Sequence, residues 1–130
     1  MNKWLRWLAV ILSAVLAWWI AFIVGLFMMS AAERLCPPEL LISGTCNVPW
    51  WSYVVQGISS FGAALAAVLV VLVSSVVAPS HRRRVAWLTY SVGTVVAVIM
   101  GYMFIVELSA ALLAGAITAA MISRKVKHGA

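Results

Sequence analysis

Few residues in this chain can do chemistry, and their spacing keeps them apart. The three carboxylates are Glu33, Glu39 and Glu107, there is no aspartate, and the two histidines are His81 and His128. The two cysteines, Cys36 and Cys46, are separated by nine residues that include Pro37-Pro38 and Ser43-Gly44-Thr45. A redox-active dithiol is usually spaced C-x-x-C. This pair is instead expected to form a structural disulfide, as cysteines do in an oxidising compartment. The chain has no phosphate-cradling glycine loop, no Ser/His/Asp set and no cluster with metal-ligand spacing. It is expected to be non-enzymatic, without metal or cofactor.

Three polar side chains interrupt otherwise apolar sequence and are candidates for lining a transport path: Glu107, Tyr90 and Gln56. An ionisable group within a membrane segment is functional by default, so depth decides the role of Glu107. It follows the apolar run Tyr102-Met103-Phe104-Ile105-Val106 and precedes Leu108-Ser109. That position predicts a hydrated carboxylate at a hairpin tip, not a coupling site.

The elements that must carry these residues are membrane helices. The chain has 130 residues, of which 65% are hydrophobic and 9% charged, and its mean hydropathy is +1.10. A soluble domain carries about 25% charged residues, so a water-soluble fold is excluded. Four spans are expected, at about 4–32, 50–78, 85–104 and 108–123, with an outer loop at 33–49, all within one domain covering 1–130. The first apolar run far exceeds the ~7–15 residues of a signal-peptide core, so it is read as a retained span. The last two spans are short of length. Two crossings need about 20 residues each, which leaves room only for a tight hairpin around Ile105 to Ser109.

Charge sets the orientation. All but one of the nine Lys and Arg residues fall on one side of this plan: Lys3 and Arg6, then Arg82, Arg83 and Arg84, then Arg124, Lys125 and Lys127. The exception is Arg34, which shares the other side with all three acids. Positive residues in short loops stay cytoplasmic. The reading is an all-α, multi-pass inner-membrane protein with N-in/C-in topology and one disulfide-closed outer loop. The basic residues make a pI of 10.0, but they sit beside apolar runs and match lipid headgroups, not nucleic acid.

Small residues recur every fourth position: Gly93, Ala97 and Gly101 in the third span, Ala111, Gly115 and Ala119 in the fourth, and Ser59, Ala63 and Ala67 in the second. Such stripes let helix backbones approach closely. The stripes of the third and fourth spans are expected to face each other. With close-packing faces and no reactive set, the leading expectation is a helper or structural subunit packing with itself or a larger membrane partner. The alternative is a small oligomeric transporter or flippase for a small molecule or lipid-linked substrate.

Overall fold

The computed structural model describes residues 2–101 and 104–128. Four helices dominate: α1 (Lys3–Arg34), α2 (Trp51–Val77), α3 (Arg82–Gly101) and α4 (Ile105–His128). The fold is helical as expected, apart from a short hairpin in the first loop. Three helices are long and apolar enough to cross a membrane: α1, α2 and α4, whose most apolar stretches have mean hydropathies of 2.5, 2.4 and 2.0. α3 is not among them. It has 20 residues and opens on Arg82, Arg83 and Arg84.

The first loop is folded by its own turn chemistry. After Arg34 the backbone N–H groups of Leu35 and Cys36 bond back to Ala32 and Glu33, and Pro37-Pro38 prevents further helix. A 3-10 turn, Pro38–Leu40, leads into β1 (Leu41–Ile42), which pairs antiparallel with β2 (Thr45–Cys46). Ser43 and Gly44 both have positive φ, 53° and 82°, as the tightest hairpin turns require. The Cys36–Cys46 disulfide, with Cα atoms 6.0 Å apart, ties this hairpin to the end of α1.

Pro79 follows the end of α2, and residues 78–81 connect it to α3. α3 and α4 then run antiparallel. The Trp87 indole N–H donates to Ser123 Oγ at 2.9 Å, and the Tyr90 hydroxyl donates to the Leu112 carbonyl at 3.2 Å. The hairpin turn comes earlier than the sequence suggested, because Ile105 to Ser109 already belong to α4. Tyr102 and Met103, in the connection, lie outside the described residues.

Packing is concentrated at the end of the bundle that carries the basic residues, called here the basic end; the disulfide loop marks the loop end. Val10, Ala78 and Val85 join α1, the end of α2 and α3. A second cluster, Val71, Ala86 and Ala119, joins α2, α3 and α4, with Tyr90 and Ile122 against it. α1 lies along α2 on a seam in which Val10, Ala17 and Ala21 are buried. Large apolar residues such as Trp4, Phe27 and Leu113 point outward and are mostly exposed. Contiguous apolar surface of that extent needs a partner or a membrane around it.

Closing a ring of about ten residues restricts the unfolded chain by roughly 2.5–3 kcal/mol. Cys46→Ser should therefore lower the unfolding free energy in detergent by an amount of that size, seen as a lower denaturant midpoint, while leaving helix content unchanged. Circular dichroism during denaturant titration reads both.

Candidate functional site

At the loop end the helices separate and leave a groove of about 1210 Å³. α2 forms its floor through Ser52, Gln56, Ser59, Ala63 and Ala67. α1 contributes Ala14, Val15 and Trp18 on one side, and α3 contributes Tyr90, Gly93, Thr94 and Ala97 on the other. Glu107, Ala111 and Leu112 of α4 complete it. α1 and α3 meet at Val10 and Val85 near the basic end but otherwise hardly touch. Along most of its length α1 packs on α2 alone, and its side of the groove is formed by only three residues, Ala14, Val15 and Trp18.

The groove exists because small side chains on its walls are not met by a neighbour. An added Cβ on Gly93 would find nothing within 4 Å. On the floor, Ser59, Ala63 and Ala67 follow one face of α2 at four-residue spacing. Trp18 bounds the opposite wall with its ring stacked on Phe22, centroids 5.9 Å apart.

All three polar candidates line this one groove. Glu107, in the first turn of α4, is half-buried there, not a fully exposed tip. Gln56 is exposed within it, one helical turn from Ser52 on α2. Tyr90 lines the groove nearer the basic end, but its hydroxyl is already engaged by the Leu112 carbonyl. The Thr94 hydroxyl likewise bonds within its own helix, to the Tyr90 carbonyl at 2.8 Å. Among the described residues the Glu107 carboxylate has no hydrogen-bond partner.

The structure divides the six small residues expected to form a seam. Gly115 and Ala119 are buried, whereas Gly93, Ala97 and Ala111 line the groove. The surroundings of Gly101 lie outside the described residues. The α3 and α4 stripes therefore do not seat on each other, and the reason is steric. The ring of Tyr90 occupies the place beside Gly115, so close that a Cβ there would lie 2.9 Å from Cδ2. The contact is aromatic against glycine, with Ala67 of α2 alongside.

Arg82, Arg83, Arg84, Arg124, Lys125 and Lys127 are all exposed at the basic end. Arg83 and Arg84 edge a shallow pocket of about 490 Å³ with Trp87, Leu88 and Ser91. Among the described residues no group of three or more His, Cys, Asp or Glu is placed to hold a metal. Two features go beyond the sequence reading. The α1 seam at Ala17 and Ala21 carries a small-residue signal like those of the other helices, broken by Trp18 and Trp19. The Trp87–Ser123 bond depends on hairpin register, which residue spacing does not encode. No protein-family model matches the chain, and neither a curated protein nor a solved structure matches it significantly.

The two glycines make a discriminating pair. Gly115→Leu forces bulk into the Tyr90 contact and should destabilise by about 1–3 kcal/mol. Gly93→Ala meets open space and should be neutral, or stabilising by up to roughly 1 kcal/mol as alanine favours helix. Unfolding in mixed micelles measures the difference, and equal stabilities would contradict the packing described.

Proposed function

We propose that the chain is an inner-membrane protein with four spans and both helical termini in the cytoplasm, and that it acts by holding an apolar-tailed molecule in its groove. This is the transporter or flippase reading, and it is non-enzymatic. The groove itself carries the argument. Ligand sites are mostly apolar concavities of about 300–1,000 Å³ with a few placed polar groups. This one, at about 1210 Å³, has apolar walls with Glu107 and Gln56 toward one end. Among the described residues its lining includes no histidine or cysteine, which supports binding over catalysis.

The topology rests on charge and length. The basic residues gather at one end of the bundle and the disulfide loop lies at the other. α3 is the short element. Its 20 residues reach about 30 Å at ~1.5 Å per residue, a bare crossing, and its arginines can extend their side chains to the interface. α4 continues through Arg124 to His128, so its own basic residues lie on the same side.

One observation favours a second reading, the helper subunit. Small residues on α2 and α3 face the same open groove, and such surfaces let a neighbouring helix approach closely. A groove-filling change on the floor, Ala63→Trp, separates the two. On the binding reading, native mass spectrometry of the wild type from mild detergent retains a lipid-sized adduct, and the variant loses it. If a second polypeptide is retained instead, and lost in the variant, the helper-subunit reading takes its place. Reporter fusions after Ala130 and inside the 33–49 loop should report opposite sides of the membrane; a C-terminus on the loop's side would overturn the four-span topology.

A further inference from the structure

We infer that the occupant of the groove is a bilayer lipid whose head carries an ammonium group, seated with that group beside Glu107 and its acyl chain running toward Tyr90. The inference rests on the groove-binding reading above and adds the chemistry of the ligand.

Charge is the first ground. Among the described residues Glu107 is the only ionisable acid lining the groove, and no lysine, arginine or histidine lines it. Every cation of the chain except Arg34 sits toward the basic end, and Arg34 belongs to the end of α1, whose lining residues lie no higher than Trp18. A carboxylate at the edge of an apolar space gains from a cation brought by the ligand, because charge-assisted hydrogen bonds are the strong ones. An anionic head would meet repulsion at the same place.

Shape and level are the second. The groove follows α2 from Ser52 to Val71, about 28 Å at ~1.5 Å per residue. That suits a long chain and leaves most of the groove empty around a small soluble cation. Glu107 lies about 25 Å along α4 from Arg124 by the same rise. In hydrocarbon ~30 Å thick, that is near the loop-end boundary, where lipid heads begin. Ser52 and Gln56 lie toward the same end, and the Gln56 amide can donate to a phosphate oxygen. Because α1 packs on α2 alone along most of its length, a lipid has a route in from the bilayer beside it.

The test compares two lipids that differ in the cation alone: phosphatidylethanolamine and its N-acetylated form, with the same chains and phosphate. Wild type, Glu107→Gln and Ala63→Trp are each placed in nanodiscs with equal amounts of both, and retained lipid is read by native mass spectrometry. The acidic N-acetyl lipid is also drawn to the basic end, equally in wild type and Glu107→Gln, so the readout is the change between those two. Glu107→Gln should lower the preference for the ammonium lipid by about tenfold, which corresponds to ~1.4 kcal/mol, the order of one charge-assisted hydrogen bond. An unchanged preference in Glu107→Gln, with both lipids lost in Ala63→Trp, overturns the ammonium assignment and leaves groove binding standing. Retention of both lipids in Ala63→Trp at wild-type levels overturns groove binding itself.

Discussion

The close approach of helix backbones at the basic end is the constraint on which the other features depend. Lipid offers no hydrophobic drive for helices to associate, so contact must come from packing between small residues and from interhelical hydrogen bonds. Ala86 and Ala119 have no exposed surface, and Val71 beside them is almost wholly covered. Tyr90 and Trp87 add the hydrogen bonds that join α3 to α4. Larger side chains at Ala86 or Ala119 would part α2, α3 and α4 together, because one cluster holds all three.

Tight packing at one end has a geometric consequence at the other. α1 and α2, with 32 and 27 residues, form a long hairpin closed by the disulfide loop. α3 and α4, with 20 and 24, form a shorter one. The short hairpin is held against the long one where Val85, Ala86 and Ala119 are buried. Beyond that level α1 keeps only α2 as a packed neighbour, and the groove lies among the four helices. Glu107 begins the shorter hairpin's return helix, so it faces the groove. A carboxylate at the tip of a longer hairpin would stand clear in water instead. The placement of this residue is therefore set by helix length more than by its immediate neighbours in sequence.

Much of this was legible in the residues. The Pro37-Pro38 and Pro79 stops, the Ser43-Gly44 turn and the pairing of Cys36 with Cys46 follow from local backbone and thiol chemistry, and the structure places them where that chemistry requires. The turn between α3 and α4 was not legible. Gly101, where α3 ends, falls in a small-residue stripe, and the apolar run after it reads equally well as the end of one helix or the start of the next. That error of a few residues moved Glu107 from an expected tip into the wall of a groove.

The small-residue stripes show why the remainder was not legible in the residues. Gly93 and Gly115 carry the same signal, a glycine in a four-residue repeat on an apolar helix. One is covered by the ring of Tyr90 and the other faces open space. A small side chain states only that another group is able to come close at that point. Which group comes depends on rotation and register of the whole helix, and those are set elsewhere, by the Trp87–Ser123 and Tyr90–Leu112 bonds. Once these fix α3 against α4, the Gly93 face has no helix of this chain left to meet. The same rule that builds the seam at the basic end thus leaves the groove at the loop end, and any molecule that enters it meets Glu107.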